Sequence, residues 1–296
     1  MLVAFIRAQH HLNDMERIFD DPYAHRLLTE DEWSTFSATY LRDAAALGLV
    51  QGGQQALISR MLRDASAAPI VLSRARYTEE RLAHAVARGV EQYVLVGAGL
   101  DTFAFRNQEL SERLQIFELD HERSQGEKRA RLARAGLAAR SNLHFAAVDF
   151  ELEDVATALR RTAFRPGKRT LFAWLGVTYY LTRPAIERTL HALASVAAPG
   201  SELVFDSYSP EIFSDSAPAF VARMLERTRA LGEPIITGLN RQTLVHVLAA
   251  SSWSLLEWLD PAEIEHRYFL NREDGFRATT FGQLTCLGVP DLSHED

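Results

Sequence analysis

The feature that most constrains the fold is an alternation of short apolar runs and longer helical stretches between residues 93 and 289. This pattern is typical of a mostly parallel sheet with helices on both faces, an α/β Rossmann-like fold. The strand-like runs lie at 93–96, 114–119, 143–148, 170–174 and 202–206, and the helical stretches at 123–138, 154–161, 183–196 and 241–250. Two further runs predict an antiparallel pair at one edge, which gives seven strands: 254–258 and 283–289.

Two segments lie outside this alternation. Residues 1–90 contain no strand signal and carry three helical stretches, at 40–49, 54–64 and 79–88. Residues 210–231 follow the fifth predicted strand and are bounded by turn-forming residues, Pro210, Pro218 and Gly232-Glu233-Pro234. The chain is therefore predicted to have a helical N-terminal cap at 1–90 and a core at 91–296 that carries a cap insertion at 210–231.

Composition and charge exclude several classes of protein. Of 296 residues, 47% are hydrophobic and 24% are charged, a balance typical of a globular chain that buries a large core. The formal net charge is -7, so binding to nucleic acid is not expected. One cysteine, Cys286, allows no internal disulfide, and no stretch of about 18 apolar residues could span a membrane. The opening residues do not form a signal sequence, so we expect a cytoplasmic protein.

A glycine-containing turn follows the first predicted strand. The apolar run leads directly into Gly97-Ala98-Gly99, which is followed by Asp101 and Thr102. Glycine at such a turn lets the backbone approach a ligand where a Cβ atom would clash. Open α/β sheets bind ligands at the carboxyl ends of their strands, where this turn is predicted to lie. A sharp turn without a ligand is the alternative, because two glycines alone do not separate these possibilities.

Acidic residues end the second and third predicted strands. Glu118 and Asp120 end the second strand about twenty residues after the turn, where a carboxylate can accept hydrogen bonds from two ribose hydroxyls. Asp149 and Phe150 follow the third strand, where the acid can accept from an adenine amino group and the ring can cover the base. Asp120 and Asp149 would also suit the N-cap of a following helix. The turn and the acids together favour a cofactor site.

Two classes of cofactor share these features, the nicotinamide dinucleotides and S-adenosylmethionine. Dinucleotide sites have a third glycine or alanine, so that the helix N-terminus can hold a pyrophosphate. Here Gly99 is followed by Leu100, Asp101 and Thr102. The carboxylate of Asp101 would repel a pyrophosphate but tolerate a cationic sulfonium. We therefore expect S-adenosylmethionine, with an NAD(P)-dependent oxidoreductase as the alternative.

A set of short strings spans most of the chain and is specific in combination. The strings are Asp21-Pro22-Tyr23-Ala24, Ala75-Arg76-Tyr77-Thr78, the segment 89–102, Phe105-Arg106, Phe117-Glu118-Leu119-Asp120 with Lys128 eight residues later, Asp149-Phe150, Tyr180-Leu181, Pro199-Gly200-Ser201, Gly232-Glu233-Pro234 and Tyr268-Phe269. With them the chain resembles the leucine carboxyl methyltransferase superfamily, especially its bacterial branch of natural-product O-methyltransferases. The resemblance implies a class I methyltransferase fold and S-adenosylmethionine as methyl donor.

The resemblance also implies roles for individual residues. The arginine matching Arg76 reaches the methionine carboxylate, and the acid matching Asp120 or Glu118 holds the ribose. The acid matching Asp149 faces adenine, and the glycine turn contacts the methionyl part. The predicted cofactor-binding residues are Arg76, Gly97, Ala98, Gly99, Asp101, Thr102, Arg106, Glu118, Asp120, Asp149, Phe150, Trp174 and Leu175.

One position departs from the pattern of the superfamily. Many relatives have an acidic residue and then glycine shortly before the Tyr-Leu pair, whereas this chain has Trp174-Leu175-Gly176. The role of that acid cannot be transferred to Leu175, and we expect backbone carbonyls around Trp174 and Leu175 to contact the cofactor instead. A cofactor-binding regulatory protein without catalysis therefore stays open as an alternative.

Methyl transfer from a sulfonium needs alignment of the acceptor more than it needs a base. A carboxylate acceptor is already ionised, whereas a phenol or alcohol would gain from a nearby base. Tyr179, Tyr180 and Tyr208 lie at the ends of the fourth and fifth predicted strands and are the candidates for catalytic positioning. Aromatic packing under the cap is the alternative for each. The ten histidines show no ligand-like pairing, so no metal is expected.

The acceptor pocket is predicted to form between the cap and the insertion. Its residues are Trp33, Phe36 and Tyr40 on one side and Ile212, Phe213, Phe220 and Met224 on the other. An apolar lining favours a small hydrophobic or aromatic acceptor, although the same residues could form the core of the cap. The leading hypothesis is an O-methyltransferase of secondary metabolism that methylates a carboxylate or hydroxyl. A homodimer is left open.

Overall fold

The computed structural model describes residues 1–49, 51–64, 67–150, 152–249 and 251–291. Its strands are β1 (Gln92–Val96), β2 (Gln115–Asp120), β3 (Leu143–Ala147), β4 (Thr170–Trp174), β5 (Glu202–Tyr208), β6 (Ser254–Leu259) and β7 (Gly282–Gly288). Its α-helices are α1 (Leu2–Asn13), α2 (Glu30–Ala46), α3 (Gln54–Asp64), α4 (Ala68–Ala87), α5 (Phe103–Arg106), α6 (Gln108–Ser111), α7 (Glu122–Arg134), α8 (Val155–Arg160), α9 (Arg183–Ala194), α10 (Ala219–Ala230), α11 (Arg241–Leu248) and α12 (Pro261–Tyr268).

Across the described part of the chain, seven strands form one sheet in the order β3-β2-β1-β4-β5-β7-β6. Strands β1 to β5 are parallel, and β7 runs antiparallel to both β5 and β6. The predicted α/β class, the seven strands and the antiparallel edge pair are therefore confirmed. The chain builds outward from β1 to β3 and then from β4 to β5, so the order reverses between β1 and β4. Their carboxyl ends form the edge where ligands of such sheets bind.

Burial of the strands explains why they were visible as continuous apolar runs. Every residue of β1, β4, β5 and β7 is buried. Helices cover both faces of a parallel sheet, so its strands carry apolar side chains at successive positions instead of alternating with polar ones. One face packs Val94, Phe117 and Phe172 with residues of α8, α9 and α11. The other packs Tyr93, Leu95 and Ile116 with residues of α4 and α12.

The N-terminal segment is helical, as predicted, and α4 packs directly on the sheet against β4, β5 and β7. Helix α1 lies against α2, α3, α4 and the 3-10 helix Ala24–Leu27. Thr29 is the N-cap of α2 and forms a capping box with Glu32. The Thr29 hydroxyl accepts from the Glu32 amide, and the Glu32 carboxylate accepts from the Thr29 amide. The division into a cap at 1–90 and a core at 91–296 stays a prediction.

The segment after β5 contains the 3-10 helix Pro210–Phe213 and then α10. Within α10 only Val221 is buried, so this helix lies on the surface. Residues 232–240 have no regular structure and return to the sheet, where the amides of Ile236 and Leu239 donate to the carbonyls of Tyr179 and Tyr208 at 2.8 Å each. The insertion is therefore anchored at the carboxyl ends of β4 and β5.

Helices α1, α5, α6, α10 and α12 were not predicted. Helix α1 occupies the opening residues, and α12 lies between β6 and β7, where no crossover helix was expected. In α1 seven consecutive residues, from Ala4 to His10, are buried, so the helix shows no clear amphipathic period. In helix α12 only Ile264 is buried, so the helix carries no apolar stripe. None of the helices in the described ranges has the length and apolarity needed to cross a membrane.

Candidate active site

The glycine turn lies at the carboxyl end of β1 and leaves space beside its backbone. Gly97 and Gly99 have φ of +75° and +51°, a left-handed conformation that side chains disfavour. The amides of Gly97 and Ala98 donate to the Leu119 carbonyl of β2 at 2.8 and 3.1 Å. A Cβ on Gly97 would lie 3.0 Å from Val177 Cγ2, whereas a Cβ on Gly99 would meet no protein atom within 4 Å. A ligand can therefore approach the turn at Gly99.

The two acids of β2 have different surroundings. Glu118 is buried and pairs with Lys128 of α7, with 2.5 Å between Oε2 and Nζ, and burial raises the pKa of Glu118. Asp120 is half-buried at the strand end, where its Oδ2 accepts from the Gly99 amide at 2.6 Å. The N-cap of α7 is His121, so Asp120 does not have the capping role. Of the two candidate ribose acids, Asp120 is the one beside the turn.

Asp149 follows β3, the neighbouring strand, at the same edge of the sheet. The amide of Val148 donates to the Asp120 carbonyl at 2.9 Å, which places the two strand ends side by side. The N-cap of α8 is Asp154, whose carboxylate accepts from the Thr157 amide, so Asp149 does not cap that helix either. Phe150, beside it, is 43% exposed. Asp149 and Phe150 both lie at the edge where an adenine ring is expected.

A buried ion pair joins Arg74 of α4 to Asp206, which lies near the carboxyl end of β5. The Nη1 of Arg74 lies 2.7 Å from Asp206 Oδ2 and donates to the Tyr179 hydroxyl at 3.3 Å. The other carboxylate oxygen of Asp206 accepts from the Gly176 amide at 2.6 Å. Burial alone would lower the pKa of Arg74, but Asp206 and Tyr179 raise it above its ordinary value. Arg74 therefore stays charged at this edge of the sheet.

Gly176, which follows Leu175, makes room for this pair. Its φ is +76°, and a Cβ there would lie 2.8 Å from Arg74 Nη2. Leu175 itself is half-buried, and the Trp174 side chain points to the opposite face, where it packs near Phe205. Trp174 can therefore face the carboxyl-end edge of the sheet only with its backbone. This agrees with the expectation that backbone carbonyls at this position contact the cofactor. The acid at this place comes from β5 instead of from position 175.

The three candidate tyrosines lie together beside the ion pair. The ring centroid of Tyr179 is 4.6 Å from that of Tyr180 and 4.7 Å from that of Tyr208. Tyr179 and Tyr208 are buried, and Tyr180 is half-buried. Burial raises the pKa of all three phenols. They are therefore held protonated at neutral pH, where they can donate hydrogen bonds but do not act as bases.

The structure does not bring Arg76 to this site. Arg76 points to solvent and forms an ion pair with Glu80, with 2.5 Å between Nε and Oε1. Two residues along an α-helix correspond to a rotation of about 200°, so Arg74 and Arg76 face opposite sides of α4. Arg74, which was not among the predicted site residues, is the arginine that faces the carboxyl ends of the strands.

Three further predicted cofactor residues have their side chains engaged within the protein. Asp101 Oδ1 accepts from the Phe103 amide at 2.7 Å. Thr102 is fully buried and donates to Asp21. Arg106 is paired with Glu79 behind the turn. The side chains of Thr102 and Arg106 therefore hold the turn from behind, whereas Asp101 keeps 24% of its side chain exposed.

The predicted acceptor residues fall into two groups. Trp33, Phe36 and Tyr40 of α2 surround Phe5 of α1, with ring centroids 5.0, 5.3 and 5.9 Å from that of Phe5. These three form part of the core of the cap. In the insertion, Phe213 is 44% exposed, Phe220 and Met224 are half-buried and Ile212 is buried.

Sequence reasoning missed four polar residues at this edge: Arg7, Asp21, Arg74 and Asp206. Asp206 ends a predicted strand, so the rule that selected Asp120 and Asp149 could have selected it too. Asp21 lies in the Asp-Pro-Tyr-Ala string, which was noticed without a role. For Arg7 no local signal exists, because its helix was not predicted.

The fold and the glycine turn with its neighbouring acid define a Rossmann-like cofactor-binding protein of the methyltransferase class. A family model, leucine carboxyl methyltransferase, matches residues 1–194, and the chain belongs to this family. A "Putative S-adenosyl-L-methionine-dependent methyltransferase" of Bacillus subtilis (strain 168) is 33% identical over 284 residues, which cover 94% of this chain and 93% of the relative. A relative with the same description from Saccharopolyspora erythraea is 31% identical over 70% of this chain and 66% of its own length.

Solved structures share the fold. A DUF574 family protein from Streptomyces avermitilis superposes with a TM-score of 0.55 at 12% identity, covering 98% of this chain and 97% of that one. A structure from Thermobifida fusca gives a TM-score of 0.53 at 15% identity, covering 98% and 95%. The likeness extends over nearly the whole length of each chain and shows a shared fold. The nicotinamide-dependent alternative is not favoured by these matches.

Proposed function

We propose that this chain is an O-methyltransferase that transfers a methyl group from S-adenosylmethionine to a small apolar metabolite, with a carboxylate as the acceptor group. Methyl transfer from S-adenosylmethionine follows from the family and from the relative that is 33% identical over nearly the whole chain. The observation that carries the site assignment is the open glycine turn at Gly99 beside the Asp120 carboxylate.

The residues at the edge fit this cofactor. The turn presents backbone without side chains, and Asp120 offers a carboxylate to ribose hydroxyls. The buried Nε of Arg7 has no hydrogen-bond partner among the described residues, and Arg7 contacts the turn through the Leu100 carbonyl. An anionic group of a ligand, such as the methionyl carboxylate, would satisfy such a donor.

The bound cofactor supplies an activated methyl group, and the residues of the chain bind and align it. Asp120 accepts hydrogen bonds from the ribose, Asp149 accepts from the adenine amino group, and Phe150 covers the ring. The carbonyls of Trp174 and Leu175 lie past β4 and contact the methionyl part. These roles are part of the proposal.

The surroundings of the acceptor support a carboxylate. Tyr179, Tyr180 and Tyr208 are held protonated, and the oxygens of Asp206 are engaged by Arg74 and Gly176. These groups can donate to an acceptor oxygen but do not remove a proton from it. A carboxylate is already ionised and needs no base, whereas a phenol or an alcohol does. The insertion, with Phe213 and Phe220, gives the acceptor an apolar environment.

Two measurements test the proposal. A thermal-shift comparison of S-adenosylmethionine, S-adenosylhomocysteine and NAD identifies the cofactor, because a ligand stabilises the state that binds it. Labelled S-adenosylmethionine with a panel of aromatic and aliphatic carboxylic acids and phenols then identifies the acceptor. We expect a base-labile methyl ester. Stabilisation by NAD alone would contradict the cofactor, and a base-stable methyl ether would contradict the carboxylate.

Replacing Asp120 with alanine is expected to weaken S-adenosylmethionine binding by about 1 to 3 kcal/mol, because the ribose hydroxyls lose a charged acceptor. Isothermal calorimetry measures the change. Asp154→Ala is the matched control: it removes an acid at the same edge that caps α8, so it should cost stability without changing affinity. Unchanged affinity in a folded Asp120→Ala protein would exclude Asp120 as the ribose ligand.

Replacing Phe213 with alanine is expected to lower turnover of the acceptor while leaving the affinity for S-adenosylmethionine within about twofold. Phe213 is exposed, so its loss should not unfold the protein. Val245→Ala, an exposed apolar residue of α11, is the control. Trp33→Ala is a separate variant on the cap side. It removes an edge-to-face contact with the Phe5 ring, so it should also lower the melting temperature. Normal turnover of Phe213→Ala would place the acceptor outside the insertion.

A further inference from the structure

Asp21 is a buried carboxylate that joins the N-terminal helices to the glycine turn. Its side chain is fully buried. Oδ1 accepts from the amides of Tyr23 and Ala24 at 3.1 and 3.0 Å, which fixes the start of the 3-10 helix after the Asp-Pro turn. Oδ2 accepts from the Thr102 hydroxyl at 2.7 Å and lies 3.2 Å from Arg7 Nη1. Oδ1 thus binds amides of the N-terminal segment, and Oδ2 binds the glycine turn through Thr102.

Thr102 continues this connection into the core. Its hydroxyl donates its single proton to Asp21 and accepts from Arg106 Nε at 3.0 Å. Arg106 forms a buried two-point ion pair with Glu79 of α4, and its guanidinium lies 4.4 Å from the Phe19 ring centroid. Each group has a defined donor or acceptor role, so the chain of contacts is directional and specific.

Arg7 of α1 holds the other side of the same segment. Its Nη2 donates to the Leu100 carbonyl at 2.6 Å, and its Nη1 lies 3.8 Å from Asp101. Residues 100–102 are therefore held by two side chains from before residue 22. Backbone hydrogen bonds also hold this segment: the amides of Gly97 and Ala98 donate to the Leu119 carbonyl, the Asp101 amide donates to the Ala98 carbonyl, and the Thr102 carbonyl accepts from the amides of Phe105 and Arg106. Left-handed glycines add little stiffness, so side-chain contacts have a large share in fixing this turn.

We infer that Asp21 is a positioning residue for the glycine turn and that, through Thr102 and Arg7, it couples docking of the N-terminal helices to cofactor binding. This inference rests on the proposed function. The Asp21 side chain is fully buried and contacts Thr102 and Arg7, so we infer that it acts through the turn. Burial alone would raise the pKa of Asp21, but Arg7, Arg106 and Thr102 hold it below the ordinary value, and the carboxylate stays ionised.

Coupling of this kind is reciprocal. If the docked N-terminal segment favours the binding-competent turn, then bound cofactor must favour the docked segment by the same factor. Hydrogen exchange should therefore show that S-adenosylmethionine protects amides of α1 and of the 3-10 helix Ala24–Leu27. In Asp21→Asn this protection should be lost.

The two decisive variants each alter the contact between Asp21 and Thr102. Asp21→Asn keeps the shape of the side chain but removes the charge, and Thr102→Val keeps the shape but removes the hydroxyl. Both should weaken S-adenosylmethionine binding by about tenfold, with the effect in KM for the cofactor and not in kcat at saturation. Thr102→Ser restores the hydroxyl and should recover most of the affinity. Asp20→Asn is the matched control, because Asp20 is the exposed neighbour and forms surface ion pairs with His11 and Arg17.

The outcomes separate the inference from the proposed function. If the wild type binds S-adenosylmethionine and folded Asp21→Asn binds it equally well, Asp21 only stabilises the fold and the inference is overturned. If Asp21→Asn does not fold, the Thr102→Val and Thr102→Ser pair decides, and equal affinities for the two overturn it. A wild-type protein that binds no S-adenosylmethionine would contradict the proposed function itself.

Discussion

Replacing Gly97 with valine is expected to reduce S-adenosylmethionine binding about 100-fold or more. Gly97 has a φ of +75°, and left-handed backbone costs a side-chain-bearing residue about 1 to 2 kcal/mol. The new Cβ would also lie 3.0 Å from Val177 Cγ2, and the two valine methyls extend further. Either Val177 or the turn must therefore shift, and the valine side chain takes the space that the ligand needs beside the backbone. Calorimetry with S-adenosylmethionine measures the loss, and circular dichroism confirms folding.

Two further glycine variants identify the cause of the loss. Gly136→Val places the same strain at the end of α7, where φ is +66° and a Cβ would meet no atom within 4 Å, so affinity should be unchanged. Gly99→Val has left-handed strain at the turn (φ +51°) but meets no protein atom at its Cβ, so a loss of affinity there cannot come from a clash with Val177. A folded Gly97→Val protein with normal affinity would mean that the cofactor lies elsewhere.

Replacing Arg74 with methionine is expected to destabilise the protein by about 3 to 5 kcal/mol and to abolish methyl transfer. The substitution leaves the Asp206 carboxylate buried without its cation, and an uncompensated buried charge is costly. It also removes the donor to the Tyr179 hydroxyl, so the tyrosine group loses its fixed arrangement. Chemical denaturation measures the free energy of unfolding, and labelled methyl transfer measures activity.

The controls separate stability from function. Arg76→Met, on the exposed side of the same helix, removes a surface ion pair and should cost less than about 1 kcal/mol. In the double variant Arg74→Met/Asp206→Leu, apolar side chains replace the whole pair, which should restore much of the stability. Activity should stay absent. Full activity in that double variant would show that the pair only supports the fold, and a large loss of activity in Arg76→Met would restore the sequence-based assignment.

Much of the fold could be predicted because its signals are local. Strand β4 was predicted at its observed bounds, and the other strands within two residues at each end, since buried parallel strands appear as continuous apolar runs. The glycine turn and Asp120 could be predicted for a similar reason, because each lies directly at a strand end. Helix α1 could not, since buried Arg7, Gln9 and His10 interrupt any apolar pattern, and part of the hydrogen bonding that accommodates them comes from other segments.

The sequence by itself determined the sheet, its edge, the turn and the family, because strand pattern, turn chemistry and short strings are properties of neighbouring residues. Tertiary structure decided which charged residues meet at that edge. Arg74 and Asp206 are separated by 132 positions, and Asp21 and Thr102 by 81. Arg74 and Arg76 lie two residues apart on one helix, and only the packing of α4 on the sheet determines which of them is buried. A buried charge is stable only with a partner, and its partner is set by the fold.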